Sequence, residues 1–235
     1  MTSISSNLRN LKIASVISAF SHTVGAFVLA FVLGQGLLTN PDYNSRIEYI
    51  RTHIQLWQSG WSVWIFTAFT FLAFTVCLRK HHLELGTSAL NRKLLLGAVI
   101  CAVIGVSFDL HAELAQILDA TKVLSPDYEF KEFVIWQSAF MLESGTIANL
   151  MYCLATICSV VATRNYYPKW LVKIGYTLFF VSLIASGFAY AATYYSDCDA
   201  NPLRHILVAT NAILFPLLVL WQLGIAYKSK DEKNA

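Results

Sequence analysis

The sequence predicts an all-α polytopic membrane protein, a bundle of six transmembrane helices with both termini cytoplasmic. Three observations carry that expectation. Of 235 residues, 56% are hydrophobic and only 13% charged, against roughly 25% charged in an ordinary soluble domain. Six segments are apolar over a length that crosses roughly 30 Å of hydrocarbon at ~1.5 Å per residue. The basic residues between those segments fall mostly on one side.

The spans are placed near residues 12–37, 54–78, 94–118, 134–163, 170–194 and 203–227, with no soluble domain left over. The first is too long for a secretory signal, and Gly34-Gln35-Gly36-Leu37-Leu38 is a poor cleavage site. With the N-terminus inside, twelve of the seventeen Lys and Arg lie on the inner side: Arg9, Lys12, Arg79, Lys80, Arg92, Lys93, Arg164, Lys169, Lys173, Lys228, Lys230 and Lys233. Arg46, Arg51, Lys122, Lys131 and Arg204 lie opposite. Basic loop residues favour the cytoplasmic side, so the chain is expected in a bacterial cytoplasmic membrane with both ends inside. The basic residues form no stripe, which argues against a nucleic-acid partner.

The loops on the other side are the longer ones. Residues 38–53 and 119–133 each have room for a turn or a short surface helix, and Asn201-Pro202 marks a turn. The residues 228–233 read as a solvated tail. Cys77, Cys101, Cys153, Cys158 and Cys198 make no C-x-x-C pair, and Cys198 alone falls on the outer side. The echo of Trp57-Gln58-Ser59-Gly60 in Trp136-Gln137-Ser138-Ala139, and of Ser18-Ala19-Phe20 in Ser138-Ala139-Phe140, implies two different registers and establishes no duplication.

Charge inside the third span is the functional signal. Asp109 and Glu113 stand four apart, hence on one helical face, in a stretch otherwise mostly of Leu, Ile, Val and Ala. A carboxylate in a bilayer costs roughly 2.5–3.5 kcal/mol on the lenient insertion scales, and such groups mark functional sites. Counting rise along each span places Asp109 about 15 Å deep, Glu113 about 8 Å and Glu143 of the fourth span about 13 Å. Gln58, Ser186 and Asn211 fall at roughly 6–13 Å by the same count. Ser182 and Tyr190 lie one turn to either side of Ser186, and His22 is near the middle of the first span. His111, two residues after Asp109, points about 200° away from it. The spans therefore hold a polar layer in their outer half, the form a pocket opening outward would take.

The three carboxylates have no Lys or Arg in the interior of any span to pair with, so they carry protons or hold a cation. Asp109 and Glu143, on adjacent spans at similar depth, are expected to face each other and to share one proton. Trp57, Trp61 and Trp64 lie on one face at spacings of four and three. They form either an interfacial aromatic belt or the wall of a pocket for an apolar or cationic ligand. Trp64, about 15 Å deep, favours the wall.

The leading functional expectation is a site that binds an apolar or lipid-like small molecule and works on it by acid–base chemistry of an isomerase or cyclase type. Asp109, Glu113 and Glu143 would be catalytic, with His22, Trp57, Gln58, Trp61, Trp64, Ser186, Tyr190 and Asn211 binding the ligand. A proton- or cation-coupled transporter or channel would use the same carboxylates. A non-catalytic subunit of a membrane complex, or a homo-oligomer, would bury them against a partner. A metal or haem site is not expected, since there is no Glu-x-x-His and no second histidine at the depth of His22. The residues identify no cofactor.

Overall fold

The computed structural model describes residues 6–37, 40, 42–125, 127–194 and 201–229. Cys198, the residues 195–200 and the tail 230–235 lie outside the described residues. The described residues are 90% helical, and no strand occurs among them. Its elements are α1 (Ser6–Phe31), α2 (Tyr43–Thr52), α3 (Ile54–Glu84), α4 (Ala89–Leu118), α5 (Phe130–Phe140), a π-helical segment (Met141–Ala148), α6 (Asn149–Thr163), α7 (Lys169–Tyr194) and α8 (Asn201–Lys228). Six helical stretches are long and apolar enough to cross a membrane; α5, the π segment and α6 together make the fourth.

Local chemistry explains where the helices begin and end. Between α3 and α4 the chain turns in four residues, with Gly86 at φ +69°, a conformation that costs glycine little. Ser88 then caps α4, its hydroxyl accepting from the Asn91 amide at 3.3 Å. Both helices run on past the hydrocarbon-length windows the sequence marks, because polar residues such as Arg79, Lys80, Arg92 and Lys93 are good helix formers. The first span stops earlier, at Phe31, where Leu33–Gln35 tighten into a 3-10 turn beside Gly34 and Gly36. Asp42 caps α2, accepting from the Asn44 amide at 3.0 Å and the Ser45 hydroxyl at 2.5 Å.

The six long helices form a closed ring. Helix α1 packs on α3, α3 on α4, α4 on α6, α6 on α7, α7 on α8, and α8 returns to α1. Consecutive antiparallel helices joined by short turns become neighbours, and only the closure of α8 on α1 spans the whole chain. Gln222 ties that seam, donating to the Ser18 hydroxyl at 2.9 Å.

Two apolar clusters plug the ring. At the end carrying the termini, Leu11, Phe74, Leu78, Leu95, Leu171, Trp221 and Ile225 are buried together. At the other end Ile50 of α2 is buried together with Leu33, Trp57, Val123, Phe133 and Phe140. The fully buried Arg46 sits within this cap, its guanidinium 4.9 Å from the Tyr43 ring and 5.0 Å from that of Phe133. It donates to the Gln137 side-chain oxygen at 3.4 Å. Between the two plugs the ring is hollow.

Candidate functional site

The hollow is a cavity of about 810 Å³, lined by all six long helical stretches. That size lies within the roughly 300–1,000 Å³ of small-molecule sites. Its walls are mainly apolar and aromatic, with Trp61, Trp64, Phe71, Phe140, Tyr152 and Phe215 among them. Asp109 and Glu113 lie on its α4 wall, 8% and 2% exposed, so the carboxylates meet the cavity and little else.

Asp109 is held at both oxygens. The Ser144 hydroxyl donates to Oδ1 at 2.6 Å and the Tyr152 hydroxyl to Oδ2 at 2.7 Å. Tyr152 reaches α4 because residue 105 is glycine. A Cβ there would stand 2.7 Å from the Tyr152 ring, inside van der Waals contact. Gly105 lies one turn before Asp109, so the ring slides over the α4 backbone and its hydroxyl lands on the carboxylate. Glu113 is different. It has no hydrogen-bond partner among the described residues, and its Oε2 is wholly buried. The indole N–H groups of Trp61 and Trp64 are likewise buried in the cavity wall without acceptors.

Ser144 belongs to the π-helical segment, which widens one turn of the fourth span. The residues of that span facing the cavity include Phe140, Ser144, Asn149, Tyr152 and Thr156. Met141, Ser144 and Gly145 all belong to the wide turn and face the cavity together. Thr146 reinforces it, its hydroxyl donating to the Met141 carbonyl at 3.1 Å. Such π turns concentrate at functional sites. Asn149 opens α6 and clamps α7, donating to the Ser182 carbonyl at 3.3 Å and the Ser186 hydroxyl at 2.9 Å. On α1, His22 is 6% exposed and lines the cavity. Its Nδ1 lies 2.7 Å from the Ser18 carbonyl, an acceptor, so Nδ1 carries the proton and Nε2 keeps its lone pair.

The structure sorts the residues that the sequence singles out. His22, Trp61, Trp64, Asp109, Glu113, Ser182 and Asn211 line the cavity. Trp57 and Gln58 do not; they cap the end of α4, donating to the Gln116 carbonyl at 3.1 Å and the Ile117 carbonyl at 2.8 Å. These are carbonyls a helix end leaves unpaired. Ser186 is buried under Asn149, and Tyr190 is 48% exposed on the outside of the ring.

Glu143 corrects the expectation of an Asp109–Glu143 pair. It lies outside the cavity lining, and its carboxylate meets His111 Nδ1 at 2.5 Å on the exterior face, with 75% of the His111 side chain exposed. The depth count for Glu143 carried no information about helix rotation, and rotation decides the matter. The partner Asp109 has within the cavity is Glu113. Among the described residues no group of three or more His, Cys, Asp or Glu side chains is placed to hold a metal ion.

Reading the sequence missed Ser144, Asn149 and Tyr152. A signal existed for Asn149, an amide in the middle of an apolar span. An unbroken 3.6-residue period sets Ser144 and Tyr152 about 80° apart, and the π turn between them closes part of that angle. Comparison with known proteins adds no family, as no family model, curated protein or solved structure matches the chain.

Proposed function

We propose that the chain is an integral membrane protein whose ring of helices binds an apolar or lipid-like small molecule and carries out acid–base chemistry on it. The exterior of the ring supports the membrane setting. Phe20, Phe27, Phe31, Phe66, Phe69, Ile100, Phe180, Ile213 and Leu220 are all exposed there, far more apolar surface than a soluble monomer leaves uncovered. Both termini face the cytoplasm in this reading, supported by the twelve-to-five split of basic residues.

The observation that carries the chemistry is the asymmetry between the two cavity carboxylates. Asp109 is oriented by two hydroxyl donors, whereas Glu113, one helical turn away, has none. A carboxyl group without a fixed partner can give a proton to a bound molecule and take one back. Asp109, held still by Ser144 and Tyr152, supplies a fixed negative pole beside it. Such a pair shifts a proton between two positions of one molecule with no net consumption, which is isomerase- or cyclase-type chemistry.

The test is chemical. Protein purified in a mild detergent should carry a small apolar molecule identifiable by mass spectrometry. The Glu113→Gln variant should still fold and bind it, while conversion of that molecule falls by about 100-fold or more, the usual share of a general acid–base group. Full turnover in both Glu113→Gln and Asp109→Asn would sink the acid–base reading. A proton-coupled carrier uses the same residues, and it would show movement of the unmodified molecule across a vesicle membrane.

A further inference from the structure

We propose that the cavity takes its ligand sideways, through a slot between α1 and α8, and selects molecules with an apolar tail and a positively charged, amine-type head. The inference rests on the membrane reading above and adds the route and the class of ligand. Its first support is where the cavity wall is thin. Of all the cavity-lining residues, the exposed ones are Ala30 on α1, Gln35 just after it, and Val208, Ala212 and Pro216 on α8. The lining residues on α3, α4, α6 and α7 are buried or half-buried. The cavity therefore reaches the exterior along one seam.

The seam has a local cause. Toward the terminal end α1 and α8 are joined through Ser18 and Gln222. Beyond that point Pro216 lies inside α8. Proline lacks the N–H that would bond the Ala212 carbonyl, and its ring crowds that carbonyl, which weakens the helix locally. The lining residues Ala26 and Ala30 on α1 and Val208 and Ala212 on α8 are small and offer a hydrocarbon chain only apolar contacts.

The head-group argument is one of charge. Two carboxyl groups line the cavity, and among the described residues no Lys or Arg does. Asp109 has its donors already; Glu113, 2% exposed, has none. An anionic head would meet like charge, and a hydroxyl would leave the net charge of the site unbalanced. An ammonium group balances it and also rests favourably against the aromatic faces of Trp61, Trp64, Tyr152 and Phe215.

The full-length protein in lipid nanodiscs should be photolabelled with three probes sharing one dodecyl tail and one diazirine, bearing a trimethylammonium, a hydroxyl or a carboxylate head. The ammonium probe should label residues 26–35 and 208–216. Its labelling should be competed by unlabelled dodecyl-trimethylammonium at roughly ten-fold or more lower concentration than by dodecanol. The carboxylate probe should label these segments least. In Glu113→Gln the preference for ammonium over alcohol should shrink while alcohol labelling persists. Equal labelling by ammonium and alcohol in the wild-type protein would overturn the head-group assignment, whether or not the variant folds. Labelling confined to α4, α6 or α7 would overturn the slot. If no probe labels a cavity-lining segment, the reading of the cavity as a binding site fails with it.

Discussion

Position 105 shows how one missing methyl group builds the site. Without a Cβ on Gly105 the Tyr152 ring packs flat on α4 and its hydroxyl reaches Asp109. Gly105→Ala should therefore cost about 1–3 kcal/mol, as overpacking of a close contact does, and should lower activity by pushing the hydroxyl off the carboxylate. Tyr152→Phe separates the two effects. It keeps the packing and removes only the hydrogen bond, about 1.5–3 kcal/mol when the acceptor is charged. Thermal melting of the two variants beside turnover of the co-purified molecule checks both. If Tyr152→Phe leaves turnover untouched, Tyr152 is a packing residue alone.

A second residue-scale expectation concerns Tyr167, in the short turn between α6 and α7. Its hydroxyl is 2.9 Å from the Ser229 hydroxyl and 3.3 Å from His82 Nε2. Burial raises its pKa above the ordinary tyrosine value. A raised folded-state value means that the folded protein holds this proton more tightly than the unfolded chain does. The associated stability is complete below about pH 10, the ordinary tyrosine pKa, and is lost as pH rises above it. The melting temperature should fall above about pH 10, and Tyr167→Phe should flatten that fall. A variant curve parallel to the wild type would place the alkaline limit elsewhere.

At the scale of elements, the π-helical segment decides which side chains of the fourth span face inward. Removing one residue, Ile147 for example, should let the segment relax to an ordinary α-helix. Ser144 and Tyr152 would then stand seven apart on an ordinary α-helix, about 20° from alignment, and both could still reach Asp109. The deletion should stay helical by circular dichroism and keep the bound small molecule. Loss of the ligand from a folded deletion variant would show that the width of the turn itself builds the site. The His111–Glu143 pair is a separate case. It lies on the exterior, so Glu143→Gln should leave the cavity and its chemistry unchanged, unlike Glu113→Gln.

For the whole molecule, the distribution of Lys and Arg predicts orientation, and a labelling experiment reads it. Cys198 should react with an impermeant maleimide added to intact cells, and a tag at either terminus should be reachable only after permeabilisation. A reactive terminus in intact cells would reverse the assignment. The ring architecture carries a consequence of its own. The cavity is lined by every long helical stretch, and the first and last helices are joined at the terminal end through Ser18 and Gln222, so loosening that junction should unfold the site before the bundle. Gln222→Leu removes the hydrogen bond to Ser18, a net contribution of about 0.5–1.5 kcal/mol. It should lower ligand retention more than it lowers the melting temperature.

By itself the sequence determined the number and approximate extent of the helices, because a run of some twenty apolar residues has few other uses. It also marked Asp109 and Glu113, since two acids four apart share a helical face whatever surrounds them, and the outward turn of His111 followed from the same geometry. Position along each helix could be counted for every polar residue. Rotation about the axis could not, and Glu143, Trp57, Gln58 and Tyr190 show the consequence, lying away from the cavity wall. Their directions depend on where a π turn falls, which helix ends need capping, and which helices become neighbours. The α8–α1 closure and the approach of Tyr152 over Gly105 are contacts between residues far apart in the chain. Local periodicity carries no record of them, and only the packing of the ring decided where those side chains point.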